Sequence, residues 1–179
     1  MIIRFIVVGV ILSTCIQTAY TTGQIDGKSA LAQQDSLIAT DSAQLLSRIK
    51  DGSSDLTLVN FWATWCDPCV EEFPDIVTLS KSYSEDNLRV LFVSADFERN
   101  LSSVWDFLIK QNLNLVSYYK KEKDNVFVNA MNPEWSGALP ATFVFDRAGN
   151  QLEFWIGKKT LTELKAIINT HLKTVKTGN

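Results

Sequence analysis

The chain has one histidine, three cysteines and four prolines. Each shortage excludes something. A lone His171 leaves most zinc enzymes short of ligands and leaves any chemistry that needs two histidines without its second. Three cysteines cannot build a disulfide-dense secreted scaffold. No Lys/Arg cluster runs longer than Lys120-Lys121 or Lys158-Lys159, and the net charge is -3. The basic patch that neutralises phosphates is therefore missing, and nucleic acid is not an expected partner. No metal and no cofactor is expected either. The longest apolar run falls well short of the roughly 20 residues of a spanning helix.

What is present is one globular domain. Hydrophobic residues make up 46% of the 179 and charged residues 21%, a balance that gives one sizeable core rather than a disordered chain. Met1 to Ile16 carries Arg4 and then the apolar run 5–12, the pattern of a secretory signal. Leu12-Ser13-Thr14-Cys15 is similar to a lipobox, with Thr14 where Gly or Ala is usual. Residues 1–19 are thus expected to be a signal peptide or a lipoprotein anchor, and an exported domain follows, with a possible membrane tether. Residues 20–39, rich in Thr, Gly, Gln, Ser and Asp, read as a flexible linker. The folded domain is expected over 40–175.

Within it, Asp41 or Ser42 can cap a short helix ended by Gly52. Leu56–Trp62 and Leu88–Ala95 read as strands buried on both faces. A helix is expected from near Cys66 to Ser82 with Pro74 inside it, and another from an Asn100 cap to Gln111. Leu113–Tyr119 reads as a short strand, 120–124 as a charged loop, and the stretch to Met131 as a helical turn. Thr142–Phe145 and Gln151–Ile156 form a hairpin around 146–150. Thr160-Leu161-Thr162-Glu163 is a capping box that opens the last helix. This order predicts an α/β fold with a mixed sheet and helices on both faces.

The chemistry sits in Cys66-Asp67-Pro68-Cys69, where a buried strand hands over to a helix. A helix start offers unsatisfied N–H groups and a partial positive charge, which stabilise a thiolate. Pro68 fits the first turn because its missing N–H would have no partner there. Cys66 is expected to be the exposed attacking thiolate and Cys69 the resolving thiol. A zinc knuckle lacks ligands, and a structural disulfide closing so small a loop gains little entropy. Glu72, three residues after Cys69, falls near it on one helix face. His171 reads as solvent-facing, and Trp135 and Trp155 as core or rim.

The segment Leu58 to Pro74, with its Trp65-Cys66-Asp67-Pro68-Cys69 and Glu72-Phe73-Pro74, resembles the active-site segment of exported TlpA/ResA-type thiol–disulfide oxidoreductases. Gly137-Ala138-Leu139-Pro140-Ala141-Thr142 is similar to that family's cis-proline loop. The resemblance implies a thioredoxin-like three-layer fold and a redox-active Cys66–Cys69 pair. It also implies a cis Leu139–Pro140 bond, and Leu139 offering its backbone to the substrate chain. Asn60 stands where thioredoxins proper carry a buried aspartate, and Glu72 matches the family's acid, which exchanges a proton with the resolving thiol. Trp62 and Trp65 are expected to shield the site, with Trp65, Asp67, Pro68, Leu139 and Pro140 contacting substrate.

Asp67 opposes a thiolate at Cys66, which argues for the reducing side of the scale. The implied partners are protein disulfides, such as cytochrome c precursors, and a membrane thiol–disulfide electron donor. The expected form is a monomer in the periplasm or cell envelope. The stretch 96–139 exceeds a minimal thioredoxin connection and is a candidate for partner choice. Two other readings stay open: a peptide-binding module without turnover, and a peroxiredoxin-like peroxidase. The second needs a hydroxyl side chain three residues before its cysteine, where Ala63 stands.

Overall fold

The computed structural model describes residues 37–177 apart from 86 and 114. The signal, lipobox and most of the linker lie outside the described residues. Six strands form one sheet in the order β1-β4-β3-β2-β5-β6. They are β1 (Leu37–Thr40), β2 (Leu56–Trp62), β3 (Leu88–Ser94), β4 (Ser117–Lys120), β5 (Ala141–Asp146) and β6 (Gln151–Ile156). β1 to β4 run parallel to one another, whereas β5 is antiparallel to both β2 and β6. The α-helices among the described residues are α1 (Ser42–Ile49), α2 (Asp67–Ser82), α3 (Leu101–Lys110), α4 (Asp124–Met131) and α5 (Leu161–Thr177).

Alternation along the strands sorts the core into two halves. In β2, Leu56, Leu58 and Trp62 face the side covered by α2, α3 and α5, while Val59 and Phe61 face α1 and α4. All seven residues of β2 are buried, as a central strand between two helical layers requires. α1 starts at Asp41, whose carboxylate accepts the Gln44 N–H at 2.8 Å, and it buries Leu45 and Ile49. The capping box is formed: Thr160 N–H donates to the Glu163 carboxylate at 2.8 Å, and Glu163 N–H donates to Thr160 Oγ1 at 3.4 Å.

Four expectations need correction. The linker was expected to run to residue 39, but Leu37–Thr40 is an edge strand paired with β4. The strand expected at Leu113 begins at Ser117, with Leu115 and Val116 exposed ahead of it. The single turn expected before Met131 is a two-turn helix that buries Phe127 and Met131. Asn100 holds the cap position of α3 but its side chain makes no cap bond, because a 3₁₀ turn, Glu98–Asn100, leads into the helix.

Candidate active site

The parallel strands β2, β3 and β4 end at one pole of the sheet, and β5 begins there. The site is assembled at that pole. β2 stops at Trp62, four residues turn, and α2 starts with Cys66 at its cap position in extended backbone. No side chain caps this end, so the first-turn N–H groups remain as a local positive field beside the cysteine. Cys66 and Cys69 are joined by a disulfide with 5.2 Å between their Cα atoms. Asp67 and Pro68, between them, are exposed.

Cys66 is less open than expected. It keeps 7% of its surface and Cys69 keeps 2%, so in the oxidised form Cys66 is only the more accessible of two covered sulfurs. Trp62 does not shield the site from outside. It is wholly buried, packed on Phe73 and Phe107. Trp65, by contrast, is 59% exposed beside Cys66.

The turn 63–66 is held from β3. Asp96 is buried, and its carboxylate accepts from Thr64 N–H at 2.9 Å, Thr64 Oγ1 at 2.6 Å and Ser94 Oγ at 2.8 Å. Charge-assisted bonds to a buried carboxylate fix the loop that presents Cys66. Asp96 was missed in the sequence, where an aspartate after a strand reads as loop and its partner lies 32 residues away.

Across from α2, the Leu139–Pro140 peptide is cis, a form that proline alone adopts at low cost. Pro140 is buried and its carbonyl accepts the Gly157 N–H at 2.8 Å. Trp135 Nε1 donates to Ala138 O at 2.9 Å, which pins the approach to the loop. Among the described residues, neither the N–H nor the C=O of Leu139 has a hydrogen-bond partner. Leu139 and Trp65 also border one cleft of about 580 Å³, whose wall includes Phe97, Asn125, Val128 and Asn129 from the 96–139 stretch.

Glu72 faces inward from α2, 1% exposed. Its Oε1 accepts the Lys159 N–H at 2.9 Å and its Oε2 accepts the Asn60 amide at 3.4 Å. The same Asn60 nitrogen reaches Thr142 Oγ1 at 3.0 Å, so a polar row crosses β2 and β5 under the helix. Burial pushes the Glu72 pKa up, and the hydrogen bonds from Lys159 and Asn60 only partly offset it. A buried carboxyl that binds its proton more tightly than an exposed one, a helical turn from Cys69, has the character of a proton acceptor. Its neighbour Glu71 is exposed and paired with Lys158.

His171 is not the free surface residue expected. Its Nε2 lies 2.7 Å from a Glu153 carboxylate oxygen, tying α5 to β6. Among the described residues no group of three or more His, Cys, Asp or Glu is placed to hold a metal ion. No helix among them is long and apolar enough to cross a membrane.

Known proteins with this arrangement agree on what it is. The AhpC/TSA family profile matches residues 37–150. The chain is 30% identical over 139 residues to the thiol-disulfide oxidoreductase ResA of Geobacillus kaustophilus, covering 78% of this chain and 74% of that one. It is 30% identical over 120 residues to the thioredoxin-like protein YneN of Bacillus subtilis, 66% of each chain. A thiol:disulfide interchange protein of the thioredoxin family from Chlorobium tepidum superposes with a TM-score of 0.58 at 24% identity, over 70% of this chain and 83% of that one. StoA from Bacillus subtilis does so with a TM-score of 0.52 at 23% identity, over 64% and 82%. With its six-stranded mixed sheet in the same thioredoxin-like fold, the chain belongs to the AhpC/TSA family and, within it, to the ResA-like thiol–disulfide oxidoreductases.

Proposed function

We propose that this protein reduces protein disulfides outside the cytoplasm through dithiol–disulfide exchange at Cys66 and Cys69. The observation that carries the reading is the juxtaposition at one pole of the Cys66–Cys69 pair, the cis Leu139–Pro140 bond and a Leu139 backbone with both polar groups unpartnered. An extended substrate segment would pair with that backbone as an added strand, bringing its disulfide to Cys66. The exposed Trp65 and the cleft beside it supply apolar contact around the target.

The reduced protein attacks with the Cys66 thiolate, which forms a mixed disulfide and releases the first substrate thiolate. Glu72 then takes the proton of Cys69, the Cys69 sulfur bonds to Cys66, and the second substrate sulfur leaves and is protonated from water. The substrate gains two electrons and the cysteine pair becomes the disulfide seen here. A membrane dithiol protein is the donor that restores it. The signal-like residues 1–19 support export and a tether, and cytochrome c precursors are one substrate class that fits an envelope reductase.

The deciding experiment is equilibration of the Cys66–Cys69 pair with thiol buffers, together with insulin-disulfide reduction. Asp67 beside Cys66 favours a potential nearer the roughly -270 mV of thioredoxin than the roughly -120 mV of DsbA. A potential near the latter sinks the reductase direction, and no exchange at all sinks the enzyme reading in favour of a binding module. The family also raises peroxidase chemistry, but the buried Ala63 puts a methyl where that reaction needs a hydroxyl. Steady peroxide consumption by the reduced protein would overturn that exclusion.

A further inference from the structure

The connection between β6 and α5 is a short Gly-Lys-Lys-Thr stretch, residues 157–160. Three of its donors, and the N–H of Leu161, reach the cis-proline loop or α2, while Thr160 turns back to Glu163 in the capping box. Gly157 N–H donates to Pro140 O at 2.8 Å. The Lys158 ammonium pairs with Glu71, and Lys159 N–H donates to Glu72 Oε1 at 2.9 Å. Leu161 N–H donates to an Asp75 carboxylate oxygen at 3.0 Å. The Lys159 Nζ lies 5.3 Å from the centre of the Trp155 ring, which holds its side chain against β6. Gly157 sits at φ 97°, a conformation that side chains disfavour, and so turns the chain from the strand toward α2.

We propose that this connection is a positioning strut coupling the cis-proline loop to Glu72, with the Lys159 N–H as the donor that most favours the charged form of the acid. The proposal rests on the reading of Glu72 as proton acceptor for Cys69. One end of the strut holds the loop whose backbone meets the substrate, and the other, two residues on, holds the carboxylate. Two residues of extended chain span no more than about 7 Å, so movement of Gly157 has little slack before it reaches Lys159. Of the two donors on Glu72, Lys159 N–H is the closer at 2.9 Å against 3.4 Å for Asn60. Displacing it removes the better stabiliser of the charged form while burial continues to oppose that form. Substrate pulling on Leu139–Pro140 therefore raises the proton affinity of Glu72 when Cys69 must give up its proton.

The charged groups around Glu72 are few. Asp75 on α2 raises its pKa and the Lys159 ammonium lowers it, while Asn60 and Thr142 from the strands are neutral. Glu71 and Lys158 occupy each other.

The test begins with the unaltered full-length protein. The amide resonance of Lys159 should titrate with the same midpoint as the carbon-13-labelled carboxyl of Glu72. A Lys159 amide indifferent to that titration overturns the proposal, with no variant needed. Lys159→Ala keeps the N–H and removes the ammonium, whereas Lys159→Pro removes both, so the difference between them is the N–H. The Glu72 midpoint should rise in Lys159→Pro by about one pH unit, a tenfold change in proton affinity. In Lys159→Ala it should rise by less than half of that.

Single-turnover reduction of a chromogenic aromatic disulfide gives the matching pH profile. Its displacement by Lys159→Pro should vanish in the Glu72→Gln background. Equal midpoints in the two Lys159 variants, or a displacement that survives Glu72→Gln, overturn the proposal. A Cys69→Ser protein trapped as a mixed disulfide with a cysteine peptide tests the coupling. Its Glu72 midpoint should rise relative to the peptide-free form, and an unmoved midpoint overturns the coupling. If Glu72→Gln leaves the resolution rate unchanged, the proton-acceptor reading fails separately.

Discussion

The two sides of the sheet are built from the same strands and both bury aromatic side chains, yet they differ in the polar groups they admit. Toward α1 and α4 lies an aromatic block. Phe61 packs on Phe127, Trp135 and Phe143, and Phe143 packs in turn on Phe145 and Phe154. Toward α2 and α5 the core is also apolar, but at Asn60 and Thr142 it opens into a polar row that ends on Glu72. Neighbouring residues of β2, Val59, Asn60 and Phe61, thus serve opposite ends. The alternation of a strand places a carboxylate's partners on the redox side and keeps them off the other.

Substitutions break the comparison at different depths. The largest effect is expected from Phe143→Ala, which opens a void in the aromatic block and should cost about 3–5 kcal/mol in urea unfolding. Because Phe143 itself neither lines the cleft nor bonds to Glu72, exchange per folded molecule should stay near wild type. A loss of exchange in step with stability would merge the two sides.

Next comes Asn60→Asp, which sets a second carboxyl beside Glu72. One of the pair must hold a proton, so about 3 kcal/mol should be lost at pH 8 and most of it recovered at pH 5. Equal stability at both values would mean the row is already wet and cheap.

Glu72→Gln follows. A carboxyl whose pKa is raised by folding binds protons more tightly when folded, so it favours the fold at low pH and opposes it as pH rises above its ordinary 4.5. The variant should therefore gain melting temperature relative to wild type at pH 8 and show no such gain at pH 4. Resolution of the mixed disulfide should slow by roughly a hundredfold at pH 7.

The smallest effect belongs to the surface. Asp51 is held down to about 2 by its hydrogen bonds to Arg89 and Ser53. A depressed acid stabilises above its unfolded pKa and loses that contribution as pH falls through its folded one. Half-exposed as it is, Asp51→Asn should cost under about 1 kcal/mol at pH 7 and only a small part of that near pH 2, where the folded carboxyl is half protonated. Denaturation at the two pH values checks it.

How legible all this was depends on how local the signal is. The Cys66–Cys69 pair sits at the strand-to-helix handover because Leu56–Trp62 is a continuous apolar run, and the run ends where a proline-bearing first turn begins. The position of Glu72 followed from helical spacing alone. The hairpin and the capping box were equally local. What escaped was held by distant partners. Leu37–Thr40 is only four residues beside a polar stretch, and its strand character comes from pairing with β4, some eighty residues on. Asp96 to Thr64 and His171 to Glu153 are likewise pairings that no spacing rule marks. Lys159 acts on Glu72 through its backbone, to which the identity of the side chain gives no clue.

The register of β1 bears on how the protein can be handled. β1 runs parallel to β4, β3 and β2, and pairing sets Leu37 level with Ser117, Phe92 and Asn60, two residues short of Trp62. The strand therefore opens about 7 Å below the thiol pole rather than at the far end of the sheet. A carrier fused directly at Leu37 would crowd a large folded substrate, and a spacer between the two keeps the approach to the cysteines clear.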